Sequence, residues 1–211
     1  VVFLSSFIRK CYDLVMDQER QEKWYHRISF WHYVLISVGL VSLTALILYL
    51  MGQVPWCKCG FVRLWHGIVF SSENSQHLSD WYTFTHIIHG LGFYLLFKLL
   101  FPRLPVPLRL LMAIMLEGAW EILENSDFII NRYREVTISL DYFGDSVINS
   151  VSDILAMIAG FFLASRIRGS LSIALIVAFE VMLAYFIRDN LLINIVMLLY
   201  PLDWLKAWQV G

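Results

Sequence analysis

Charge and cysteine are both scarce in this sequence. Of 211 residues only 16% are charged, and 16 Lys and Arg against 17 Asp and Glu leave a net charge of -1. No basic stripe is interleaved with aromatics, so the electrostatic footprint of a nucleic-acid binder is absent and that class is set aside. The three cysteines, Cys11, Cys57 and Cys59, are odd in number and two of them form a Cys-x-Cys pair, a pattern that does not make a disulfide framework. Ring strain opposes a direct bond between residues two apart, so Cys57 and Cys59 are expected as separate thiols. They could take a metal together with His66, yet no second cysteine pair completes a zinc site. No small-residue cleavage site follows the apolar and basic mixture of residues 1–12, which argues against a retained signal peptide. Ser71, Ser72 and Ser75 sit in no nucleophile elbow, and turn chemistry explains them better than a Ser/His nucleophile.

Apolar and aromatic residues are abundant instead. At 59% hydrophobic, with 8 Trp, 10 Tyr and 15 Phe, the chain is too apolar for an ordinary soluble domain and reads as an all-α, polytopic transmembrane helical bundle. Residues 1–30, dense in charge from Arg9 to Arg27 with Leu14 and Val15 between, are expected as an amphipathic segment on the membrane surface. The transmembrane helical domain is expected over 31–211. Its spans are predicted at 31–51, 82–101, 108–123, 146–164 and 171–187, five in all, and 191–200 is a candidate sixth too short to cross alone. Lys and Arg favour an N-terminus on the inside, nine on that side against five on the other. The long polar connections 52–81 and 125–144 then both fall outside.

The informative residues are polar ones inside the spans. Glu117, Glu121 and Glu124 share one face of a helix because three- and four-residue steps do so. A carboxylate at mid-bilayer costs roughly 2.5 kcal/mol or more, so such groups turn toward a cavity, a cation or another polar helix. His86 and His89 stand in the first turns of the second span, and Asp145, Asn149 and Asp153 at the start of the fourth. Antiparallel neighbours bring all three sets to one depth, near the outer leaflet. Imidazole and carboxylate donors at i, i+3 and i, i+4 spacing suit zinc, iron or manganese. His86, His89, Glu117, Glu121, Glu124, Asp145 and Asp153 are therefore the candidate ligands of a divalent metal. Two other readings stay open: hydrogen bonds that hold the bundle together, and a proton or small-solute path. Against the path, no polar series continues to the inner face. His66 and His77 are expected as surface loop histidines, Glu180 as meeting another polar group, and Arg188 and Asp189 as pairing or capping.

Several literal strings carry a family resemblance. They include Cys57-Lys-Cys-Gly60, Trp65-His-Gly67, Asp80-Trp-Tyr82, His86-Ile-Ile-His-Gly90, Trp120-Glu-Ile-Leu-Glu-Asn125, Arg132-Tyr-Arg134 and Leu140-Asp-Tyr-Phe-Gly-Asp-Ser146. Over about 52–209 the chain resembles the UPF0314 (DUF2585) membrane proteins of alphaproteobacteria, and more loosely a VanZ-like group. The resemblance implies a multi-span inner-membrane protein with membrane lipids as its surroundings, and it implies no activity, so whether the chain is an enzyme stays open. The segment 1–30 departs from the bacterial pattern. It is the basis for an alternative expectation, a mitochondrial descendant serving as a non-catalytic accessory subunit among other membrane subunits of a respiratory complex.

Overall fold

A computed structural model describes residues 28–137 and 141–210, so the amphipathic segment expected over 1–30 lies, up to residue 27, outside the described residues. The described residues form helices α1 (Phe30–Leu50), α2 (Thr83–Leu100), α3 (Val106–Glu124), α4 (Asp127–Val136), α5 (Val147–Arg166), α6 (Gly169–Ile187), α7 (Leu191–Leu199) and α8 (Asp203–Val210). Among the described residues there is no strand, only an isolated bridge between His66 and Asp80.

Four helices, α1, α2, α5 and α6, are long and apolar enough to cross a membrane. The expected count of five is therefore met in four. The third predicted span, α3, has the length at 19 residues but carries Arg109, Glu117, Glu121 and Glu124. At nine residues, α7 is too short to cross a hydrocarbon core that needs about 20.

Helices α2 and α5 make the closest pair, and glycine is the reason. A Cβ at Gly90 would overlap the Met157 carbonyl oxygen, and one at Gly160 would overlap the Ile87 carbonyl oxygen, so only hydrogen lets the two backbones approach this far. Around that crossing Leu91, Tyr94, Phe97, Ala113, Ile114, Ile154, Met157 and Phe161 from α2, α3 and α5 form the apolar core. Most of those residues lie toward the ends of α2 and α5 and the middle of α3. The other part, at the starts of α2 and α5 and the end of α3, is polar. The bundle is thus divided along its length, and the apolar half closes one end of the polar one.

Helices α1 and α6 flank this trio and show lipid-type surfaces, with Leu35, Leu43 and Leu46 on one and Ile173, Val177 and Val181 on the other all exposed. Residues 53–80 cover the polar end. Ser146, Val147 and Ile148 donate their backbone N–H groups to the carbonyls of Ser75, Val54 and Pro55, at 2.9, 2.8 and 3.1 Å. Asp189 fastens the other side, accepting from the Tyr82 hydroxyl at 2.8 Å, Gln209 Nε2 at 3.1 Å and Asn194 Nδ2 at 3.3 Å. It pairs as expected, and so does Glu180, whose carboxylate accepts from Leu192 N at 3.2 Å.

Candidate metal centre

The start of α2 is fixed by Asp80, which accepts hydrogen bonds from Ser75 N at 3.0 Å and Tyr82 N at 2.8 Å. Burial raises its carboxyl above the ordinary value, and these backbone donors act in the opposite direction. One turn on, His86 and His89 project from the same face toward α3. Glu117 meets both: its Oε1 lies 2.6 Å from His86 Nδ1, and its Oε2 lies 3.0 Å from His89 Nδ1. One fully buried carboxylate therefore orients two imidazoles, which is how a group just outside a metal's ligands sets their direction.

Glu121 lies one turn further along α3 and is also fully buried. His86 Nδ1 is 3.5 Å away, but neither Glu121 oxygen accepts a hydrogen bond from the protein. On the far edge of the His86 ring, Nε2 is 3.8 Å from Asp153 Oδ2, while Asp153 Oδ1 accepts from Thr83 Oγ1 at 3.2 Å. Glu124 completes this side, hydrogen-bonded to the Tyr133 hydroxyl, whose pKa burial and the Glu124 charge both raise.

The candidate ligands thus divide. His86, His89 and Glu117 lie within 4.8 Å of one another at their ligand atoms, and so do His86, Glu121 and Glu124. The first trio is already joined by hydrogen bonds; in the second, Glu121 has carboxylate oxygens to spare. Asp153 adjoins. Asp145 lines the same space, but its oxygens are taken by Asn125 Nδ2 and the Tyr142 hydroxyl, each at 3.0 Å. Its carboxyl is raised by burial to about 6, with those two bonds lowering it. Asn149 turns away, donating to the His77 carbonyl at 2.9 Å, and serves the cap rather than the chamber.

Two cavities of about 40 Å³ each, room for a few atoms, meet at Tyr82, His86, Glu124, Tyr133 and Asn194. Sequence reasoning missed the phenols. Tyr82, Tyr133 and Tyr142 line the space without any helical periodicity in common, and the only signal was their presence in the strings Asp80-Trp-Tyr82 and Arg132-Tyr-Arg134 and beside Asp141. Among the described residues neither Lys nor Arg lines either cavity.

Residues 53–80 hold two corrections. Cys57 and Cys59 are joined in a disulfide rather than standing as separate thiols; the turn they sit in, closed by Gly60 N donating to the Cys57 carbonyl at 3.2 Å, places their Cα atoms 5.2 Å apart, within the range a disulfide spans. His66 and His77 are not surface residues but 2% and 1% exposed, because the loop folds back on itself and stacks Phe61 on His77 and His77 against His66. Burial and the neighbouring His77 lower the pKa of His66. Ser71 behaves as expected, its hydroxyl accepting from Glu73 N at 3.1 Å in a turn.

The sequence profile of DUF2585, described as a protein of unknown function, matches residues 48–211. A UPF0314 protein of Sinorhizobium fredii is 51% identical over 183 residues, 87% of this chain and 93% of the relative. Others from Paracoccus denitrificans and Sphingopyxis alaskensis are 54% identical over 172 residues and 52% over 177, covering 82% and 84% of this chain and 89% and 94% of theirs. No solved structure matches. With a profile match over most of its length and relatives at about half identity, the chain belongs to the DUF2585 (UPF0314) family of bacterial proteins, and its apolar helices mark it as a membrane protein.

Proposed function

We propose that this protein is a membrane-embedded metal-binding protein, with a divalent transition metal held between α2 and α3 by His86, Glu121 and Glu124. Glu117 and His89 orient that set, and Asp153 stands beside it. The observation that carries this reading is Glu121: a fully buried carboxylate whose oxygens accept no hydrogen bond among the described residues, while its ligand atom lies within 4.8 Å of those of His86 and Glu124. A purely architectural glutamate would be satisfied by donors, since an unpaired buried carboxylate costs several kcal/mol. A bound divalent ion supplies the missing charge, and nitrogen with carboxylate donors suits zinc, iron or manganese.

The test is elemental analysis of full-length protein purified in mild detergent without chelator, and again after dialysis against each metal. About one metal ion per chain is expected in wild type, and its loss in Glu121→Gln and His86→Ala. Wild-type protein that retains no metal under any loading would end the proposal.

The same reading has α3 crossing the bilayer as a fifth span, because Arg109, Glu117 and Glu121 are all buried inside the bundle and leave lipid only apolar contacts. The chamber then opens toward the side of the disulfide, a non-cytosolic side. Single cysteines placed at exposed Lys58 and Asp141 should react with a membrane-impermeant reagent from the same side of intact vesicles. Labelling from opposite sides would remove the fifth span. The mitochondrial accessory role rested on residues 1–30, nearly all of them outside the described residues.

A further inference from the structure

The cap over the chamber contains a second set of metal-ligating side chains that the proposal above does not use. Cys57, Cys59, Glu73 and His77 bring their ligand atoms within 4.8 Å of one another. Tetrahedral zinc, with bonds of about 2.0–2.3 Å, spaces its ligands by roughly 3.3–3.8 Å, so the set has to close by about 1 Å. Cys57 and His77 are buried, at 3% and 1% exposed, so they sit in a formed interior. Glu73 already gathers the imidazoles: its Oε2 is 3.3 Å from His77 Nε2 and 4.0 Å from His66 Nδ1. A separate observation points to a ligand. His66 is 2% exposed, and neither of its ring nitrogens has a hydrogen-bond partner in the protein. Burying an imidazole without partners costs free energy that a coordinated cation, or a group bound to it, recovers.

We infer that in the reduced chain Cys57, Cys59, His77 and Glu73 bind a thiophilic divalent cation such as zinc, and that formation of the Cys57–Cys59 disulfide expels it. The chemistry balances with an external disulfide as oxidant. The two metal-bound thiolates give up two electrons and form the S–S bond. The oxidant's S–S bond breaks, its two sulfurs leave as thiolates, and the cation departs with Glu73 and His77 left to pair. The reverse needs a dithiol reductant. Coordination at His77 Nε2 moves the ring proton to Nδ1, so the 3.3 Å contact from Arg63 N to Nδ1 has to open as the metal enters. The structure holds the Cys57–Cys59 disulfide, the oxidised end of this exchange. Ser146, Asn149 and the residues between them are hydrogen-bonded to the same loop, which puts the exchange directly above the start of α5.

Cobalt(II) is the probe, added to full-length protein in detergent after phosphine reduction and removal of the reductant. The expected result is a near-ultraviolet thiolate-to-cobalt charge-transfer band that titrates to about one cobalt per chain and disappears on adding zinc. The band is expected to be absent from the oxidised protein and from the Cys57→Ser/Cys59→Ser double variant, and undiminished in Glu121→Gln. No band in the reduced wild type overturns the inference. A band that survives in the double variant also overturns it, by assigning the metal to Cys11. Among the described residues the intramembrane chamber is lined by no sulfur and gives no such band, so either site can fail independently of the other.

Discussion

Replacing Gly90 by alanine tests the packing that positions the chamber. The added methyl would stand 2.6 Å from Phe161 N and 2.9 Å from the Met157 carbonyl carbon, and closer still to that carbonyl's oxygen. Carbon contacts settle at about 3.5 Å or more, and these are helix backbone atoms that cannot rotate aside. α2 and α5 must therefore part by roughly 1 Å. Overpacking of this kind costs about 1–3 kcal/mol, and at roughly 2–4 °C per kcal/mol for a chain of this size a central value of about 2 kcal/mol lowers Tm by roughly 4–8 °C. Gly92, two residues along the same helix, is the control. Nothing lies within 4 Å of its would-be Cβ, so alanine there removes only the glycine penalty of about 1 kcal/mol and raises Tm slightly. Tryptophan fluorescence during heating in detergent can follow both variants, since the chain has 8 Trp. His86 and Asp153 each lie four residues before a member of the Gly90–Met157 contact, so metal retention should fall with Tm in Gly90→Ala alone. Equal thermal stability of the two alanine variants would refute the argument.

Two further outcomes follow from buried acids. Glu121→Gln should raise the Tm of metal-free protein while abolishing metal retention, because it removes a buried carboxyl group whose oxygens the protein itself does not satisfy; a lower Tm in the metal-free variant would show that Glu121 holds the bundle together. Burial lifts the Asp189 carboxyl from 3.8 to about 6, with hydrogen bonds from Tyr82, Asn190 and Asn194 pulling it down. The folded state then holds that proton more tightly than the unfolded chain, so its stabilising effect is complete below 3.8 and is lost as pH rises through about 6. Between pH 4 and 7 this group alone lowers stability by up to about 3 kcal/mol, and Asp189→Asn should flatten the corresponding part of a Tm-versus-pH curve. An unchanged slope in the variant would assign the pH dependence to other groups.

Much of this arrangement was legible in the sequence because helical spacing is a strong constraint. His86 with His89, and Glu117 with Glu121 and Glu124, could only lie on shared faces, and antiparallel neighbours bring such faces to a common depth. What spacing cannot reveal is which donors are already committed. Asp145 looked equivalent to Asp153, yet Asn125 and Tyr142 take both of its oxygens; Asn149 looked like a third stripe member, yet it reaches up to the His77 carbonyl. Each of these depends on long-range closure of an irregular loop, for which no periodicity exists. The same is true of Cys57, Cys59, His66 and His77, whose burial comes from a chain reversal rather than from any local pattern. Composition likewise counts Arg109, Glu117 and Glu121 as charges on α3, and only the packed bundle shows that all three are buried.

The backbone bonds that Ser146, Val147 and Ile148 make to residues 54, 55 and 75 have a consequence for access. The opening N–H groups of a helix ordinarily go to solvent or a side chain, but here the extramembrane strap consumes three of them. Uncovering the chamber would strand those donors at the moment Asp153's end of the helix is freed, so exposure of the interior and fraying of that helix are a single cooperative event, and any molecule admitted from above must offer acceptors of its own.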